Sequence, residues 1–195
     1  MVRTIHKNKG MTLIELMVVI GIVAILAAIA APSFAQLLAS NRVQAATSEF
    51  QAALALARGE AIKRGGDAHV TVVANGLTGT PPTAAWQQGV TVFYDMTSNA
   101  NADVAPSDTT LFQLKTAALT SSVVVMSSFT NSIVYNGMGR PLPATGAQGN
   151  GTIAFGDKNG NTDWRCTIVS ATGRVRSTTV SASTASSSVL TQCTA

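Results

Sequence analysis

Residues 7–34 read "KNKGMTLIELMVVIGIVAILAAIAAPSF": a basic, polar lead-in, a glycine, then an apolar run broken by one carboxylate, Glu15. Positions 11–31 hold that single charge. As a helix rising about 1.5 Å per residue they extend roughly 31 Å, enough to cross a hydrocarbon core. Arg3, Lys7 and Lys9 precede the run, so the positive-inside bias leaves the N-terminus in the cytoplasm and the body beyond the membrane. A charge at a bilayer centre costs at least about 2.5–3.5 kcal/mol on insertion scales, so Glu15 calls for a partner. "AAIAAPSF" (27–34) imitates the cleavage site of a secretory signal. A signal, however, has a shorter apolar core that ends in a loop, and here the helical pattern continues.

From Phe34 the helix turns amphipathic. Phe34, Leu38, Ala46, Phe50, Ala53, Leu54, Ala57 and Ala61 recur mostly at three- and four-residue steps, with Arg42, Glu49, Arg58, Glu60 and Lys63 mostly between them. Gly65-Gly66 is a stop signal. One helix over 11–64 would be about 80 Å long, with Pro32 as its expected kink.

Beyond Gly66 the period changes to alternating and β-branched runs: 68–74, 89–95, 110–114, 122–126, 131–135, 151–156, 164–170 and 174–180. Asn159-Gly160 is a hairpin signal. Strands joined by short links predict an antiparallel sheet packed on the helix, hence an α+β head over 65–180. "SASTASSS" (181–188) opens a low-complexity tail, 181–195, expected to be flexible until Cys193 ties it back.

The length of 195 residues allows one soluble domain plus an appendage, and charged residues are only 11%. Of the net charge of +4, three positive charges come from the first ten residues. Residues 65–139 set Lys115 against Asp67, Asp95, Asp103 and Asp108; residues 140–195 set Arg140, Lys158, Arg165, Arg174 and Arg176 against Asp157 and Asp163. Basic character is therefore local to the C-terminal end. Cys166 and Cys193, with His6 and His69 far apart, do not make a metal site of usual ligand count. In an exported body the two cysteines read as a disulfide, the alternative being two buried thiols.

No residues call for a cofactor. "DKNGNTD" (157–163) alternates oxygens as calcium loops do, but its glycine is fourth instead of sixth and Ile168 stands where the bidentate Glu belongs. Neither a nucleophile elbow nor a phosphate-binding glycine loop is present, and His69 has no acid or thiol beside it, so the chain does not read as an enzyme. "GRVR" (173–176) is the stretch with binding chemistry. In a strand, Arg174 and Arg176 would share a face about 6–7 Å apart, close to the spacing of successive phosphates. Arg140, Lys158 or Arg165 would extend the patch. Pairing with Asp residues, or a subunit contact, is the competing reading.

"KG-MTLIELMVVIGIVAIL" resembles the processing site and N-terminal helix of type IV pilins and pseudopilins. "ALALARGEAIKRG" (53–65), "WQQGVTVFYD" (86–95), "NGMGRP" (136–141) and "IVSATGRVRS" (168–177) are similar to the GspH/FimT group of minor pilins and minor pseudopilins. The resemblance implies a prepilin peptidase cut after Gly10, removing leader 1–10 and leaving a methylated Met11. It implies that Glu15 meets the N-terminal amine of a neighbouring pilin subunit as helices stack. Met11 departs from the family's usual Phe. It also implies inner-membrane anchoring, a periplasmic head and assembly into a filament. FimT-type members carry a Gly-Arg-x-Arg motif that contacts DNA, and Gly173, Arg174 and Arg176 match it; secretion-branch pseudopilins carry similar strings.

Overall fold

Residues 11–66, 68–75, 86–95, 113–129, 132–142, 149–183 and 186–194 are described in the computed structural model. The chain divides into two compact units, Met1–Leu37 and Leu38–Ala195. Helix α1, Leu13–Arg64, contributes to both and carries Pro32 in its interior. Its start is fixed by Thr12 and Glu15. The Thr12 hydroxyl oxygen accepts from the Glu15 N–H at 3.3 Å, and Glu15 Oε2 accepts from the Thr12 N–H at 3.0 Å. This reciprocal arrangement is a capping box, satisfying two of the donors that a helix start leaves orphaned. The end is fixed by Gly65, whose N–H donates to Ala61 O at 3.0 Å with φ at +62°, a conformation that costs only glycine nothing.

Every residue of Met11–Leu38 is exposed in the single chain. By length and composition α1 can cross a membrane. From Ala39 onward one stripe is buried: Ala39, Val43, Ala46, Thr47, Phe50, Ala53, Leu54, Ala57 and Ala61. Steps of three and four place these on one face, and the small alanines let the strands come close.

Two antiparallel sheets complete the head. The first has the order β3 (Gln113–Lys115), β2 (Val90–Asp95), β1 (His69–Ala74), β5 (Ser132–Asn136), β6 (Pro141–Leu142). Register sets Val72 between Val92 and Ile133, and Val70 beside Tyr135. Because side chains alternate, Val70, Val72, Ala74, Val90, Val92, Ile133 and Tyr135 share one inward face. The second sheet has the order β4 (Val123–Ser127), β7 (Gly151–Asp157), β8 (Trp164–Val169), β9 (Val175–Val180). Its Val123, Ile153, Phe155 and Val169 join the same core as the buried stripe of α1. Phe50 is the hub, meeting the Trp86 ring edge-on at 6.0 Å and the Phe155 ring at 5.6 Å.

The opposite face of the second sheet builds a smaller core from Ala154, Trp164, Cys166 and Val180, closed by Val189 and Cys193 of helix α2, Ser186–Thr194. Cys166 and Cys193 form a disulfide with Cα atoms 5.9 Å apart. Trp164 packs where a side chain on Gly156 would stand.

Several expectations change. The head holds two sheets in place of one, because β4 leaves its sequence neighbours to pair with β7. Phe34 and Leu38 are 60% and 38% exposed, so the buried stripe starts at Ala39. Strand β9 begins at Val175, leaving Arg174 in the preceding turn. The tail is helical from Ser186 instead of flexible, since Val189 and the disulfide give a short Ser-rich segment something to fold against. The leader with Gly10, the 96–108 loop and residues 110–112 of the third strand stretch lie outside the described residues.

Candidate functional site

At the helix start Met11 is 60% exposed. The Glu15 carboxylate is held by Thr12, whose hydroxyl also donates to Oε2 at 3.0 Å. Sequence reading missed this Thr-x-x-Glu cap, although the spacing alone announces it. In the single chain the carboxylate thus has an intrachain partner but no cation within salt-bridge distance among the described residues.

The basic stretch is built on a hairpin turn. Between β8 and β9 the Ser170 N–H donates to Arg174 O at 2.9 Å, and the Gly173 N–H donates to Ser170 O at 2.8 Å. Gly173 has φ at +77°. A tight turn followed by a left-handed glycine is the three-residue hairpin loop with a bulge. The Arg174 N–H donates to Ser170 Oγ at 3.1 Å, locking the residue after the glycine.

A second turn, between β5 and β6, repeats this pattern. The Asn136 N–H donates to Arg140 O at 3.0 Å, the Gly139 N–H donates to Asn136 O at 2.8 Å, and Gly139 has φ at +71°. Here the Arg140 N–H donates to Asn136 Oδ1 at 3.0 Å. The two turns touch: a Cβ on Gly173 would collide with the Gly139 carbonyl oxygen. Arg58 of α1 joins them, its Nε donating to Gly139 O at 3.0 Å and its Nη2 to Thr172 O at 3.4 Å. A hollow of about 390 Å³ beside them is lined by Asn136, Met138, Arg140, Asn150 and Ala171, hence by both turns.

Arg140, Arg174 and Arg176 are exposed. The ion pairs among the described residues are Lys63 and Arg64 with Glu60, so none involves these three. Arg176 pairs in register with Ile168, and that places it on the α2 face of the sheet. Arg165 pairs with Thr179 and Phe155, on the α1 face, and its Nη2 reaches Gln44 Oε1 at 3.5 Å. Because opposite faces of a strand are separated by the sheet itself, Arg165 is not part of the Arg176 surface. Lys158 is exposed in the β7–β8 turn, at the other end of β8 from Arg174. In that turn Asp157 Oδ2 accepts from Asn159 N–H, Asn161 N–H and the Asn161 amide at 3.0–3.2 Å. That one oxygen therefore takes three donors of the turn, as a hairpin arrangement would have it.

The structure thus brings the turns that carry Arg140 and Arg174 into contact, with Arg176 two residues further along on β9, and sets Lys158 and Arg165 apart. Arg58, missed in the sequence, is the residue that ties the two turns together. The readable signal was the repeated Gly-Arg, "NGMGR" (136–140) and "SATGR" (170–174).

The family model described as Type II transport protein GspH matches residues 46–173, and that described as Prokaryotic N-terminal methylation motif matches residues 5–31. Neither a search of curated proteins nor one of solved structures finds a match. The first span runs from the buried stripe of α1 to Gly173, so Arg174 and Arg176 lie just past it. With a long apolar N-terminal helix, a two-sheet α+β head and a match over well more than half its length, the chain belongs to the GspH family of type IV pilin-like minor subunits.

Proposed function

We propose that this chain is a minor type IV pilin that is assembled into a filament or its tip and holds DNA non-specifically during uptake. Prepilin peptidase cuts after Gly10, and Met11 becomes the methylated first residue. The 11–31 segment holds the subunit in the inner membrane with the head in the periplasm, until it is drawn into the polymer. There the Glu15 carboxylate meets a neighbouring subunit's N-terminal amine, because a paired buried charge costs far less than a lone one. The match to the N-terminal methylation motif over residues 5–31 supports this half of the reading.

The DNA half is carried by one observation: Arg174, at the close of a hydrogen-bonded glycine turn, and Arg176, on the strand that follows, are exposed and free of ion pairs among the described residues. Guanidiniums of this kind suit phosphate oxygens, and two to four such contacts give weak, sequence-independent, salt-sensitive binding. The measurement is a mobility shift with the full chain in detergent micelles at two salt concentrations. Arg174→Gln with Arg176→Gln should weaken binding and flatten its salt dependence; unchanged binding refutes the DNA role.

A second reading is a type H minor pseudopilin of a type II secretion system, favoured by the description of the matched family model. It shares the anchor, the Glu15 pairing and the pilin-like partners, but not the polyanion. Replacing Glu15 with Gln should abolish incorporation in either system. Loss of DNA uptake, against loss of protein secretion, on deleting the gene separates the two.

A further inference from the structure

We propose that the Asn136–Arg140 and Ser170–Arg174 turns form one composite polyanion site, in which Arg140 acts together with Arg174 and Arg176 and Arg58 sets their spacing without touching the ligand. The inference rests on the DNA reading above and adds which residues take successive phosphates of the backbone and what holds them in place.

The two turns are built alike. In each, the N–H of the residue opening the turn donates to the carbonyl of the arginine closing it, a second bond runs from the left-handed glycine N–H to the opening residue's carbonyl, and the opening side chain accepts from the arginine N–H. Each arginine therefore leaves its turn from the same backbone setting. Contact between the turns is close enough that Gly173 cannot carry a side chain, for steric as well as conformational reasons. Arg58 donates to a carbonyl in each turn. A planar guanidinium with fixed donor directions can bridge two acceptors; an ammonium on a flexible stem keeps the charge but loses that geometry.

The electrostatics point the same way. Arg140 and Arg174 close two touching turns, Arg176 follows on β9 and Arg58 projects from α1 onto both turns, and no acid among the described residues pairs with any of them. Like charges held together by backbone bonds repel, and a phosphodiester backbone relieves that repulsion while displacing counterions. Binding is therefore stronger when the turns are locked, since less ordering is left to do on contact.

The test uses the full chain in detergent micelles and a fluorescently labelled duplex DNA, with affinity read over a salt series and thermal melting recorded for each variant. Arg140→Gln, at an exposed position, should weaken binding roughly threefold or more and lower the slope of log K against log salt by about one, as Arg174→Gln does. Arg58→Lys should weaken binding comparably in the otherwise unaltered chain and have no further effect when combined with Arg140→Gln and Arg174→Gln. If Arg174→Gln and Arg176→Gln weaken binding while Arg140→Gln and Arg58→Lys do not, the composite site is wrong and the DNA role stands. If no arginine variant matters, the DNA role falls and the composite site with it. Should Arg58→Lys fail to fold, as melting would reveal, the Arg140→Gln slope decides alone.

Discussion

The two halves of α1 are both rich in apolar residues, yet they meet opposite fates. Up to Leu38 every described residue is exposed, with Ile, Leu, Val and Met on all sides. From Ala39 the apolar positions retreat to one face, many of them alanine, and Leu54, Ala57 and Ala61 are fully buried. An apolar surface that runs all the way round a helix has no side fit for water, so the first half needs lipid or other helices around it. A single stripe needs only one covering layer, which the two sheets supply. The difference shows that arrangement, more than apolar content, assigns a helix to a membrane or to a core.

The sharpest way to break the comparison is to truncate a large apolar side chain to alanine in each half. Phe50→Ala empties the space between Trp86 and Phe155 and should cost about 3–5 kcal/mol. Ile22→Ala, in the exposed half, should leave unfolding of the head unchanged within about 0.5 kcal/mol. Denaturant unfolding of the detergent-solubilised chain, followed by tryptophan fluorescence, measures both. Comparable shifts would mean that the exposed half belongs to the cooperative core after all.

A second, smaller effect concerns the disulfide. Its partners are 27 residues apart, so replacing both Cys166 and Cys193 by Ser removes roughly 3–4 kcal/mol in the chain-entropy model. Loss should show first as fraying of α2, because that helix touches the head through Val189 and Cys193 of the smaller core. Hydrogen exchange at 186–194 would report it. Protection there equal to that of the disulfide-closed chain would show that packing alone holds the tail.

These regions also mark how far the sequence could be read. The helix, its stop at Gly65 and eight of the strands were legible because period and glycine placement are local signals. The division into two sheets was not, since β4 pairing with β7 is decided by packing between residues far apart in sequence. α2 was illegible for a related reason: its Ser-rich stretch has no propensity of note and depends on the disulfide and the small core. At the basic site, Gly173, Arg174 and Arg176 could be picked from the motif. The separation of Arg165 follows from strand alternation, and the role of Arg58 follows from a helix crossing two turns more than seventy residues downstream.

The smallest predicted effect, from Tyr135, sharpens the buried side of the comparison. Its hydroxyl is buried with no hydrogen-bond partner among the described residues. Burial pushes the phenol up to about 12, with the Arg58 charge opposing the shift. In the unfolded chain the group titrates near 10. The folded state therefore holds the proton more tightly, and its contribution is complete below about pH 10 and lost as pH rises through about 12. The slope in that window is at most about 1.4 kcal/mol per pH unit. Tyr135→Phe should remove it while changing stability little at pH 7, because no hydrogen bond is lost with the hydroxyl. Urea midpoints of both proteins at pH 8, 10 and 11 provide the measurement. Parallel curves would place the alkaline loss elsewhere and would mean that the Tyr135 hydroxyl finds water, so that the core beneath Arg58 is less tightly closed than the buried stripe of α1 implies.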